Sequence, residues 1–406
     1  MVPMKDAQTA IGMVLVEAGS HYEDKEINGL SHFLEHMCFK GTKNRSGNDI
    51  KLELDGIGAQ SNAFTGTEYT GYYAKAHYKK LPKIVDLISD IYQNSTFPEK
   101  DIESEKGVII EEINMYEDSP ERIVSYVWNE LLYGDQPAGR RVIGTKENIR
   151  KFQQKDFIEY HKTHYVADKT VVVVAGQFDG KEILSQIKDS FKNISTDKPV
   201  KKPKVMDVQD KVGMSVKYKK TDQTHLILGF RSFKMGDKRN PALRIAATIL
   251  GQGFSSRLFS RMRDELGICY YTYAYLDTSI DVGDFTVGAG VANGRVEEAI
   301  SVIIEELKHL RDFEVPLSEL KKAKELHLGR KATSLETSDQ FADFYGFQEL
   351  LHQEILNPTQ QFKKLKDVTA EDVRKAMKQI VKEEKMNLAM VGPFKDSSKF
   401  SKLLKL

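Results

Sequence analysis

Apolar and polar positions recur along this chain with two periods. Leu30, Phe33, Leu34 and Met37 follow helical spacing and predict a buried stripe on a short helix. Asn28-Gly29 and Ser31 supply its start, and Gly41 its stop. Residues 101–116 read as a second helix, on which Glu105, Val108, Ile109 and Glu112 share one face. Val108 and Ile109 turn that face inward, so Glu105 and Glu112 are expected to point toward the core and Glu111 away from it. Residues 81–92 and 120–133 read as further helices. Strands are expected over 9–17, within 59–76, where alternation runs from Ser61 through Tyr73, and at the apolar run 171–175.

The chain also echoes itself. Residues 172–179 match 388–395, residues 156–157 match 372–373, and Gln8-Thr9 matches Gln223-Thr224, all at an offset of 215 to 216. A repeat of that length is a whole domain. The expected class is α+β: two homologous α/β-sandwich domains, each a mixed or antiparallel sheet with helices packed on one face. The first domain is placed at 1–195 and the second at 208–406. The Pro- and Lys-rich stretch 196–207 reads as an extended, solvated linker.

Composition narrows the function classes. Hydrophobic content of 40% and charged content of 29% are ordinary for a globular protein. A net charge of +1 gives no electrostatic reason to bind nucleic acid or a membrane surface. No run has the length of a membrane span, and the first residues lack the pattern of a secretory signal, so a cytoplasmic location is expected. Two cysteines, Cys38 and Cys269, are too few for a disulfide scaffold. Cys38 could serve as a soft metal ligand, but both read better as packed thiols.

The chemistry concentrates in Ser31-His32-Phe33-Leu34-Glu35-His36-Met37, which has the form H-x-x-E-H. His32 and His36 are one helical turn apart and can chelate one Zn²⁺. Glu35 beside them can take a proton from a water held by the metal. The order is the reverse of the commoner H-E-x-x-H. At the same offset of 215, His32, Glu35 and His36 fall on Ala247, Leu250 and Gly251, so the second copy has lost every metal group.

Glu112 lies 76 positions after His36 (112 − 36). With that spacing, and with the text Gly29-Leu30-Ser31-His32-Phe33-Leu34-Glu35-His36-Met37-Cys38-Phe39-Lys40-Gly41-Thr42, the chain resembles the pitrilysin, insulin-degrading and mitochondrial processing peptidase family over essentially its whole length. The resemblance implies a zinc endopeptidase acting on unfolded or extended peptides in an enclosed chamber. It implies His32, His36 and Glu112 as ligands of one Zn²⁺ per chain, Glu35 as general base, and Glu105 as a carboxylate supporting a ligand histidine. Arg263 and Tyr270, seven apart across Gly267, resemble the family's substrate- and oxyanion-binding pair in the metal-free domain. Asn62, Ala63 and Phe64 resemble its substrate-binding edge strand.

Because single-chain relatives carry about four such domains, two copies of this chain are expected to pair as a homodimer, or one copy with a related subunit. A catalytically silent scaffold or peptide-binding subunit of the same fold is the alternative reading. The chain departs from the family before Ala10, where an earlier strand is usual. That departure puts the neighbouring sheet edge in doubt.

Overall fold

The structure, a computed structural model, describes residues 1–406. Ten strands form two five-stranded sheets of identical topology. The first contains β1 (Val2–Pro3), β2 (Thr9–Val16), β3 (Gln60–Thr65), β4 (Thr70–His77) and β5 (Thr170–Gly176), in the order β1-β5-β2-β4-β3. The second contains β6 (Gly213–Tyr218), β7 (Gln223–Ser232), β8 (Cys269–Thr278), β9 (Gly283–Ala292) and β10 (Met386–Gly392), in the order β6-β10-β7-β9-β8. Only the β1–β5 and β6–β10 pairs are parallel. The duplication in the sequence is thus a duplicated mixed sheet, and the fold is α+β.

In chain order, the helices used below are α1 (Leu30–Cys38), α2 (Gly47–Gly56), α3 (Leu81–Asn94), α4 (Glu99–Asp118), α5 (Pro120–Tyr133), α6 (Lys146–Lys151), α7 (Gln154–His164) and α8 (Gly180–Ser190). They continue with α9 (Asn240–Gly251), α10 (Val296–Asp312), α11 (Leu317–Thr333), α12 (Ser338–Leu350), α13 (Pro358–Lys366) and α14 (Ala370–Ile380).

The compact units are not the two sequence halves. Unit 1 comprises residues 1–114, 140–203 and 333–355, and unit 2 comprises 115–139, 204–332 and 356–406. Helix α5 therefore belongs to the unit built mostly from the second half, and α12 to the unit built mostly from the first.

Burial explains both placements. In unit 1, Ala10, Val85, Val174 and Ile183 form a core between the sheet and helices α3 and α8. The opposite face of β2 and β5 meets α12, whose Gly346 has no room for a Cβ: it would stand 2.9 Å from Leu15 Cδ1 and from Val173 Cγ2. In unit 2, Leu226, Leu228, Phe230, Phe285 and Val287 pack with α9, α10 and α14. On the reverse face Ile227, Ala389 and Val391 meet Ile123, Val124, Val127 and Trp128 of α5. Each Val, Leu, Ile or Phe side chain among these contributes about 1.5–3 kcal/mol on burial. Besides the expected layer of helices, then, each sheet takes one helix on its reverse face.

The stretch 198–210 carries no regular element, but it is not simply solvated. Lys202 lies 2.6 Å from the buried carboxylate of Glu68 in unit 1. Val205 is buried against α5 in unit 2. At the outer edge of β5, β1 pairs only with Ala175 and Gly176. Thr170 to Val173 instead line a cavity of about 720 Å³ with Tyr345 and Gly346. In unit 2 the equivalent edge is covered, because β6 pairs with β10 from Asn387 to Gly392.

Candidate active site

Helix α1 is fixed from below and from its N-terminus. Leu30, Phe33, Leu34 and Met37 are all buried, and the Phe33 ring meets Phe157 of α7 edge-on at 4.8 Å. Gly29 precedes the helix with φ of 101°, where a Cβ would come within 2.8 Å of Gly144 Cα. The first turn has no side-chain cap of its own. Glu23, fully buried, supplies one from outside: its carboxylate accepts from the backbone N–H of Gly29 (2.7 Å) and Ser31 (2.6 Å) and from Asn28 Nδ2 (3.0 Å). With one face so committed, His32, Glu35 and His36 are left half-buried on the other.

Helix α4 brings the acidic groups. Glu112 Oε2 lies 3.7 Å from His32 Nε2 and 3.8 Å from His36 Nε2. One donor atom from each of these three residues lies within 4.8 Å of the others, and no other group of His, Cys, Asp or Glu in the chain clusters this way. Glu105 is buried, and its Oε1 accepts from His36 Nδ1 at 3.0 Å. Its Oε2 pairs with the ammonium group of Lys40. Glu111 is exposed.

Val108 corrects the expected face, because it is 52% exposed. The buried line of α4 is Ile102, Glu105, Ile109 and Ile113. Val108 is about 100° from Ile109 around the helix and falls beyond the acidic flank.

The charges are arranged unevenly. Burial, aided by the neighbouring His36, pushes His32 down to about 4. Burial also acts on His36, but Glu105 and the carboxylates of Glu35 and Glu112 outweigh it and hold that imidazole above its ordinary value. The His36 hydrogen bond and then Lys40 keep the Glu105 carboxyl below the usual range, against the effect of burial. Burial raises Glu35, with a hydrogen bond from Thr65 opposing it.

Strand β3 is the outer strand of its sheet and runs beside α1. Asn62 is exposed, and its Oδ1 accepts from the N–H of Ala63 at 2.9 Å. Phe64 is half-buried among Tyr69, Tyr73 and Phe347, with ring centroids 6.0 to 6.4 Å away. The expected edge residues therefore divide by role. Asn62 and Ala63 present the edge, while the Phe64 ring packs the sheet.

Arg263 and Tyr270 belong to unit 2 and lie together. Arg263 sits on a stretch of π-helix, Phe259–Glu265, and its Nη1 donates to the carbonyl of Tyr270, with the guanidinium 5.1 Å from the Tyr270 ring centroid. The register of β8 slips between Cys269 and Tyr271, and this bulge turns Tyr270 outward, 70% exposed.

Comparison with known proteins matches residues 3–146 to the family described as Insulinase (Peptidase family M16). Residues 151–326 match the Peptidase M16 inactive domain. This chain belongs to peptidase family M16.

Among its M16 relatives is an uncharacterised zinc protease of Bacillus subtilis, 34% identical over 385 residues, 95% of this chain and 93% of that one. Another, from Streptomyces coelicolor and also named an uncharacterised zinc protease, is 30% identical over 392 residues, 94% of this chain and 84% of its own. The crystal structure of a protease from Helicobacter pylori is similar in fold, with a TM-score of 0.90 at 22% identity over 97% of this chain and 96% of that one. The inactive-domain match includes Arg263 and Tyr270 and none of His32, His36 or Glu112.

The donor set of this M16 chain suits zinc. Two imidazole nitrogens and one carboxylate oxygen leave a fourth position open. Their spacings to Glu112, 3.7 and 3.8 Å, exceed by less than about half an ångström the separation that zinc bonds of about 2.0–2.1 Å require in a tetrahedron.

Three residues of the site escape a reading by motif: Lys40, Thr65 and Glu23. Lys40 had a signal, since it lies four residues after His36 and can share its side of the helix exit. Thr65 and Glu23 had none, because their partners are set by the hairpin and by the loop before α1.

Proposed function

We propose that this chain is a zinc-dependent endopeptidase that hydrolyses unfolded or extended peptides in an enclosed chamber. The observation that carries the reading is the convergence of His32, His36 and Glu112 on one point, with Glu35 beside them and the outer strand β3 alongside. His32, His36 and Glu112 would hold one zinc ion, which when bound supplies Lewis acidity toward water and a peptide carbonyl. Glu35 takes the proton of the attacking water and delivers it to the leaving amine. Glu105 holds the ring of His36 through Nδ1, so that Nε2 faces Glu112.

A peptide in extended form can add to β3 at Asn62 and Ala63 through main-chain hydrogen bonds. The Ala63 N–H is engaged by the Asn62 side chain, which would turn aside to admit it. Arg263 and Tyr270 are assigned to substrate and oxyanion binding, with the exposed Tyr270 hydroxyl as donor. The active assembly in this proposal is a homodimer, in which Arg263 and Tyr270 of one chain complete the zinc site of the other. The cytoplasm is the proposed location, in keeping with two buried, unpaired cysteines.

The test is Glu35→Gln measured with a quenched peptide. Turnover falls by about 10²–10⁴-fold while zinc content stays at one per chain. Wild-type turnover in this variant would refute the mechanism. Mixed dimers of Glu35→Gln and Tyr270→Phe chains test the assembly, because only sharing between chains restores activity.

A further inference from the structure

The general base of the proposed reaction has a fixed neighbour that no motif assigns. Thr65 is the last residue of β3, and its Oγ1–H donates to Glu35 Oε2 at 2.5 Å. Its backbone is locked opposite Thr70 in the β3–β4 pair, and the turn beyond it is closed by the Gly66 N–H to Tyr69 carbonyl bond of 2.8 Å. A β-branched side chain in a strand has few χ1 choices, so the hydroxyl is held in place before any substrate arrives. Glu35 stands on α1 and Thr65 on the sheet, so the bond ties the carboxylate to a second, independent element.

We propose that Thr65 is the positioning residue for Glu35. It occupies Oε2, sets the plane of the carboxylate, and leaves Oε1 as the oxygen that exchanges the proton with water and the leaving amine. Without the hydroxyl, the side chain of a glutamate on a helix surface samples several rotamers, and only a fraction direct Oε1 at the water. The loss falls on the chemical step. Binding of the peptide and of zinc does not use this contact, because Thr65 donates to Glu35, and Glu35 is not one of the three residues whose donor atoms converge.

This inference rests on Glu35 acting as the base, and the experiment separates the two. Thr65→Val keeps shape and strand preference and removes the donor; Thr65→Ser keeps the donor. Expected for Thr65→Val is a fall in kcat of about 10–100-fold. KM, zinc affinity by chelator competition and the melting temperature should stay at wild-type values. Thr65→Ser recovers most of kcat. Should Thr65→Val not fold, Thr65→Ala replaces it with the same expectation.

Wild-type kcat in Thr65→Val, beside an inactive Glu35→Gln, overturns the positioning role and leaves the peptidase reading intact. A fall that Thr65→Ser does not rescue, or one accompanied by loss of zinc, also overturns it. Undiminished turnover in Glu35→Gln overturns both.

Discussion

Nδ1 of His36 lies 3.0 Å from Oε1 of Glu105, and this contact decides which edge of the imidazole faces Glu112. The same carboxylate holds Lys40 through its other oxygen, so three side chains on α1, its exit and α4 form one chain of charge. A ligand histidine held in this way loses less rotational freedom on binding metal.

Glu105→Ala therefore weakens zinc binding by about 10–100-fold, read by competition with a chelator. Lys40→Met has a smaller effect in the same direction, because Lys40 reaches His36 only through Glu105. Unchanged affinity in Glu105→Ala would mean that the helix alone orients the ring.

Acid weakens unit 1 through His164. Its ring stacks on Tyr160 at 3.8 Å and its Nδ1 meets the Tyr160 carbonyl, while Nε2 is buried with no partner. Burial pushes the group down to about 4 from an ordinary 6.5, with that carbonyl opposing the shift. The folded value is depressed, so the unfolded chain binds the proton more readily. The contribution is complete above about 6.5 and is lost as pH falls through about 4. It amounts to roughly 3 kcal/mol. Urea titrations at pH 7 and pH 4 should show a smaller difference for His164→Phe, which keeps the stack and cannot titrate, than for the parent. Equal differences would remove His164 from the acid response.

Cutting the chain at the sequence boundary should leave neither half folded. A fragment ending at residue 203 lacks α12, which covers the Leu15 and Val173 face of its sheet. It also carries α5, whose Ile123, Val124, Val127 and Trp128 are buried against strands of unit 2. The expected result is no cooperative thermal transition for residues 1–203 alone, and its recovery when residues 204–406 are supplied in trans. A sharp transition in the isolated fragment would contradict this.

The sequence by itself carried whatever depends on near neighbours along the chain. The stripe Leu30, Phe33, Leu34 and Met37 sets α1 and its buried side, because helical spacing alone puts those residues on one face. The H-x-x-E-H order follows on the opposite face. The repeat at 215 to 216 foretold two sheets of one topology, since the same apolar pattern buries itself in the same way twice.

Tertiary structure decided the rest. Periodicity finds the apolar face of α5 or α12 but says nothing of which sheet covers it, since burial is non-directional and either sheet offers an apolar surface. Val108 reads as inward because it falls at helical spacing on the face shared by Glu105, Ile109 and Glu112, yet the position of α4 against the site turns it to solvent. Thr65 holds Glu35 across thirty positions (65 − 35), and Glu23 caps α1 from a loop. Hydrogen bonds of that kind depend on where a hairpin and a helix come to rest, and no local pattern of residues encodes that distance.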